Sequence, residues 1–385
     1  MKPIQRNNSG TIHAAHHHVL VHISKPEKIS SFYQTVLALF ISIGFIFSCS
    51  GQSTPQQSLL VLSKTNHTLS IVDPSTLKVI ATMPVGTDPH EVIASTDGKT
   101  AYVSIYGGGS LHEINILDLV GQKPISNLDT RPLMGPHGLY FTGGKVWFSA
   151  EGTKTVGRYD PATGKMDWCM GTGQDRTHMI WVSNDQKTIY TTNVSSATVS
   201  ILQYTQLPPP RPPSGAAMPG PPPPGAQGNP GPPARSDWTQ TIIPVAKGSE
   251  GFDVSPNGKE LWTAGAGDGN VSIINLATKK VEATLDAKVN SANRLKFSPD
   301  GKYVLVSCLG QGDLIILDGV SRKEIKRVPI GHGAAGIEMD PGGTRAFVAC
   351  TPDNYVAVVD LKSLTVTGHI DAGGGPDGMA WAVRR

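Results

Sequence analysis

Charge, long apolar runs and cysteine are what this 385-residue chain has little of. Charged residues make up 16% of it, against about a quarter in ordinary globular domains. The formal net charge of +3 resides wholly in residues 1–48, where Lys2, Arg6, Lys25 and Lys28 face Glu27 alone. Beyond them 29 basic residues balance 29 acidic ones, so no nucleic-acid partner is expected. The longest apolar run, Val36 to Phe47 with Ser42 inside it, has twelve residues and is too short to cross a bilayer. Four cysteines, Cys49, Cys169, Cys308 and Cys350, do not make a disulfide framework or a Cys-ligated zinc motif. No C-x-x-C-H sequence, phosphate loop or serine nucleophile elbow occurs, which leaves no haem, nucleotide or flavin motif.

The apolar run follows Lys25 and Lys28 and leads into Ser48-Cys49. Twelve apolar residues behind a basic stretch suit the h-region of a secretory signal. A small residue just before the cysteine resembles a bacterial lipoprotein signal. That resemblance implies cleavage of 1–48 before Cys49, lipid on Cys49, and export to the periplasm or a bacterial cell surface. Membrane contact would then run through the lipid anchor, with 49–58 as a linker.

What the chain does have is a repeated phrase. Short apolar strands begin at His90, His137, His178, Glu250, Asn293, Ala335 and Asp377, with spacings of 47, 41, 72, 43, 42 and 42. Each unit continues through a turn such as Ser255-Pro-Asn-Gly-Lys259 or Ser298-Pro-Asp-Gly-Lys302, a second strand, a third strand and a fourth. The third strand ends in Asp73, Asp118, Asp160, Asn275, Asp318 or Asp360, which reads as turn capping rather than a calcium ladder. A period near 42 with four strands per unit predicts an all-β fold, a seven-bladed β-propeller. Three strands before His90 and one from Asp377 predict a last blade closed by N- and C-terminal strands. One domain, 59–385, is expected, a monomer, interrupted by the Pro/Gly-rich stretch 207–236. That insertion cannot pair as strand and is expected to be disordered or polyproline-like, open to a proline-binding protein partner. Cys308 and Cys350 close equivalent strands of adjacent units, where diverging blades favour buried free thiols over a bridge.

The first positions of the inner strands converge at one mouth of the central channel. His90, His137 and His178 stand beside Glu250, Asn293, Ala335 and Asp377 there. Three imidazoles with carboxylates suit a divalent metal, zinc or copper if histidine-ligated, and crowding keeps an imidazole neutral and able to act as base. Polar residues lining a wet channel are the plainer alternative. On either view a small molecule or peptide is the expected occupant, with His90, Asn293 and Asp377 in contact with it.

The repeats from Leu59 onward, with Val271-Ser-Ile-Ile-Asn275 and Ser298-Pro-Asp-Gly-Lys302, resemble the YVTN-type or YncE-like propellers, exported proteins of diverse role. One blade, Gly135-Pro-His-Gly-Leu-Tyr-Phe-Thr-Gly-Gly-Lys-Val-Trp-Phe-Ser-Ala-Glu151 with Val156-Gly-Arg-Tyr159, is similar to the catalytic blade of streptogramin B lyase, a metal-dependent propeller. That likeness implies His137 as general base, Glu151 as a magnesium ligand and His90 as a substrate contact. It departs at Gly135, where the lyase carries a metal-binding carboxylate. The expected metal set is His137, His178, Glu151 and Glu250. The sequence thus points to an exported propeller binding a ligand or metal at a His-lined mouth, with a lyase or a lactonase-like hydrolase as the alternative.

Overall fold

The computed structural model describes residues 52–208, 234–310 and 312–385. The signal segment with Cys49, and residues 209–233 of the proline-rich insertion, lie outside the described residues. Seven four-stranded antiparallel sheets form the domain. Blades 1 to 6 open with the inner strands Pro89–Ala94, Pro136–Thr142, Thr177–Val182, Ser249–Val254, Ala292–Phe297 and Ala334–Met339. Each inner strand packs on the next, and Pro376–Val383 joins the sixth to the first, so the ring is closed. Blade 7 combines Pro376–Val383 with Gln57–Ser63, Thr68–Asp73 and Lys78–Pro84. Leu59 pairs with Trp381 and Val61 with Met379, so both ends of the domain are stitched into one sheet. No helix among the described residues is long and apolar enough to cross a membrane.

Burial follows strand position. Second strands such as Tyr303–Cys308 are buried on both faces because a blade covers each side. Fourth strands such as Lys280–Asp286 alternate exposed and half-buried residues at the rim. The core therefore lies between blades, in clusters such as Trp262, Phe297, Val304 and Ile315. Burying one such side chain contributes ~1.5–3 kcal/mol. Cys308 and Cys350 sit in these layers as free thiols.

Local turn chemistry explains the repeat's punctuation. Asp118 Oδ1 accepts the N–H groups of Val120 and Gly121, and Asp360 Oδ1 those of Lys362 and Ser363, so these residues cap turns. Thr198–Gln206 and Ser236–Pro244 pair along their whole length up to Gln206–Ser236. The insertion thus emerges from a hairpin between third and fourth strands, on the face away from the inner-strand starts.

Candidate functional site

The inner strands are irregular where they enter the channel. In blade 1 Pro89 pairs with Ile105 and Val92 with Val103, leaving His90 and Glu91 opposite Ser104 alone. The same break falls at 137–138, 178–179, 250–251, 293–294 and 335–336. Such a β-bulge turns two successive residues toward the axis where a regular strand would show one. A second-strand hydroxyl takes up the freed N–H. Glu91, Gly138 and Arg294 donate to Ser104, Ser149 and Ser307 at 3.1, 2.9 and 3.0 Å. Ser149 in turn donates to the His178 carbonyl, and Ser307 to that of Ala335. Together with Thr192, which donates to the Glu250 carbonyl, these hydroxyls tie His178, Glu250 and Ala335 to the preceding blade.

The second bulge position explains its own composition. It is glycine at 138, 251, 336 and 378, where an added Cβ would lie 2.1–2.5 Å from backbone of the following inner strand. Glu91 and Arg294 are charged exceptions. They reach across the channel and form an ion pair, both almost wholly buried. Burial works against the Arg294 charge, but Glu91, Asp377 and Glu250 outweigh it and hold the guanidinium protonated. Arg294 of this pair lines a cavity of about 530 Å³ at the mouth.

Three imidazoles line one side of that cavity. The His90 and His137 ring centroids are 4.5 Å apart, those of His137 and His178 3.8 Å. Tyr106 presents an edge to His90 and His137 at 4.8 and 4.9 Å. His137 is fully buried, and among the described residues neither of its ring nitrogens has a hydrogen-bond partner. Burial, reinforced by His178 and His90, pushes its pKa well below the ordinary imidazole value. Burial lowers His90 as well. Lys64 Nζ lies 2.6 Å from His90 Nε2 and is also held by Asp88 at 3.3 Å and Asp377 at 3.2 Å.

Of the expected metal set, His178 and Glu151 are brought into contact through Nδ1 and a carboxylate oxygen. The other Glu151 oxygen accepts from Tyr106. Burial alone would raise the Glu151 carboxyl, but these bonds and Arg176 hold it below its usual range. Glu250 stands apart, accepting from Asn293 at 2.6 Å and from Arg176 at 3.4 Å. Among the described residues, the donor atoms grouped at metal-ligand spacing belong to His90, Glu91 and His137, all within 4.8 Å. Asp377 and Asn293 line the same cavity, and Ala335 adds no polar group. Gly135 has φ of 66°, and a Cβ there would lie 2.6 Å from Gly109 Cα. A side chain at that position, a carboxylate included, does not fit this backbone.

Glu91, Arg294, Tyr106, Lys64 and Arg176 were not legible as site residues. A strict alternation sends 91 and 294 into the sheet. The signal that marks the bulge is the recurring hydroxyl near the end of the second strand: Ser104, Ser149, Thr192 and Ser307.

No protein-family model matches the chain, and no curated protein matches its sequence. Solved structures do match in fold. A candidate 6-phosphogluconolactonase from Bacteroides fragilis aligns with a TM-score of 0.65 at 14% identity, covering 86% of this chain and 99% of that one. A functionally unknown protein from Desulfotomaculum acetoxidans gives 0.63 at 13%, covering 83% and 98%. Hydrazine synthase from Kuenenia stuttgartiensis gives 0.62 at 18%, covering 79% and 92%. At such identities the likeness is one of fold.

Proposed function

We propose that this chain is an exported, YncE-like binding propeller that holds a divalent transition metal, with a small ligand over it, at the His-lined mouth. The observation that carries this reading is His137, a fully buried neutral imidazole with both nitrogens unpartnered. An unsatisfied buried polar group costs ~1–3 kcal/mol, and an incoming ligand atom recovers it. Two imidazoles and one carboxylate from His90, Glu91 and His137 suit zinc, copper or nickel better than magnesium, which prefers oxygen donors. The surrounding charges agree: Lys64, Arg176 and Arg294 face Asp88, Glu91, Glu151, Glu250 and Asp377, a formal −2 with neutral imidazoles.

Coordination has one requirement. If Nε2 of His90 binds the ion its lone pair is taken, and if Nδ1 binds it Nε2 carries the proton, so neither state leaves Nε2 an acceptor for Lys64. Lys64 must release His90 and stay with Asp88 and Asp377. The bound ion would act as a Lewis centre for an anionic or carbonyl ligand, while Tyr106, Asn293 and Arg176 orient that ligand.

A lyase or lactonase-like hydrolase is the second reading, favoured by the neutral His137 as base beside the Glu151–His178 pair. In it Glu151 orients His178 rather than holding metal. Elemental analysis after equilibration with zinc, copper or nickel, followed by dialysis, tests the first reading. One equivalent per chain is expected, with affinity falling tenfold or more in His90→Ala and His137→Ala and little changed in Glu151→Gln. Absence of saturable uptake, or loss in Glu151→Gln alone, overturns the assignment. For export, Cys49→Ser is expected to abolish incorporation of labelled palmitate and to release the protein from the membrane fraction.

A further inference from the structure

Below the Glu91–Arg294 pair the channel opens again into a separate cavity of about 210 Å³. It lies three residues further along each inner strand, roughly 10 Å from the His ring. Its wall is divided. Blades 1 to 3 contribute Ile93, Tyr140 and Trp181, while blades 4 to 6 contribute Asp253, Lys296 and Glu338. The aromatic side is held rigid: Trp181 stacks on Tyr190 at 5.1 Å and packs against Tyr140 at 6.0 Å. On the charged side Asp253 is anchored, its carboxylate accepting the N–H groups of Val254 and Phe297, each at 2.9 Å.

Lys296 and Glu338 differ from it. Among the described residues neither side chain has a hydrogen-bond or ion-pair partner, although they sit on adjacent blades in the same half-buried cavity. Low-dielectric surroundings favour pairing of such charges, yet these two stay apart, one ammonium and one carboxyl. Burial pushes Glu338 up to about 7, as expected of an acid without a partner. Lys296 stays protonated because Asp253 and Glu338 outweigh its burial.

We propose that this cavity is a second binding site, deeper in the channel than the His ring, for a free α-amino acid with an apolar or aromatic side chain. Lys296 takes the ligand carboxylate, Glu338 its ammonium, and Tyr140 with Trp181 its side chain. The wall excludes simpler ligands by charge. A plain amine meets the Lys296 ammonium, and a plain carboxylate meets Glu338 and Asp253. The volume, below the ~300–1,000 Å³ of drug-sized sites, admits one small molecule.

Isothermal titration of the full chain with L-phenylalanine and L-leucine tests this, against 2-phenylethylamine and 3-phenylpropionate, which each lack one charge. Saturable binding of at least one amino acid is expected, weakened tenfold or more for both analogues. Trp181→Ala and Lys296→Met are each expected to weaken it tenfold or more, with thermal melts confirming that both variants fold. Binding is expected to survive His137→Ala, which separates this site from the mouth. Equal affinity for the amine, loss in His137→Ala, or no saturable binding of either amino acid overturns the proposal.

Discussion

At the scale of single residues, environment sets the chemistry more than identity does. His137 and His90 are imidazoles that folding makes harder to protonate. In the unfolded chain each titrates near 6.5, so below that pH the unfolded state binds more protons than the folded one. Metal-free protein is therefore expected to lose stability as pH falls from about 6.5, by at most ~1.4 kcal/mol per pH unit for each imidazole. Thermal melts from pH 7.5 to 5 check this, and His137→Gln should flatten the slope. Glu338 runs the other way. Its folded value of about 7 exceeds the ordinary 4.5, so its contribution declines as pH rises through that window. Glu338→Gln is expected to raise stability at pH 8 by up to about 3 kcal/mol and to do little at pH 4.5. Lys64 holds the His90 nitrogen that the proposed metal would need, so Lys64→Met should tighten zinc binding about tenfold or more, read by competition with a chromophoric chelator. Of these residues the three histidines were legible because they share a repeat position. Lys64 was not, since it follows a strand of the closing blade and enters the site only through the ring's geometry.

At the scale of the element, the bulged inner strand is the device that builds the site. Repeat length, turn chemistry and strand ends are local, and the sequence shows them: Asp97 and Asn257 cap the turns that Ser-x-Asx-Gly-Lys forecasts. The bulge depends on a cross-strand hydroxyl and a neighbouring blade, so alternation alone points Glu91 the wrong way. Ser149 is a sensitive position because it serves both the Gly138 N–H and the His178 carbonyl. Ser149→Ala is expected to cost ~1–3 kcal/mol, by chemical denaturation, and to weaken metal binding through displacement of His137. A fully stable variant with unchanged metal affinity would mean the hydroxyl is dispensable. The blade from Gly135 to Tyr159 shows what spacing leaves out: Gly135 has a left-handed backbone packed on Gly109, and Glu151 meets His178 and Tyr106.

For the whole molecule, the period near 42 residues already contains the seven-blade ring and its closure. Closure matters energetically because Pro376–Val383 is both the inner strand of blade 7 and the seam between blades 6 and 1. A chain ending at Ala372 is expected to lose its cooperative thermal transition, seen by circular dichroism, rather than to lose one strand's worth of signal. What the repeat could not show is how the axis is filled, since that depends on side chains more than two hundred residues apart. Glu91 and Arg294 are such a pair, and they give the molecule an unforeseen property. A single carboxylate stands within reach of two imidazoles on one side and grips a guanidinium that borders the hollow on the other. Whatever claims that carboxylate from above slackens the grip below, and whatever fastens the guanidinium below withholds the carboxylate above. Two ligands that engaged Glu91 above and Arg294 below would thus be thermodynamically linked, with equal strength in both directions.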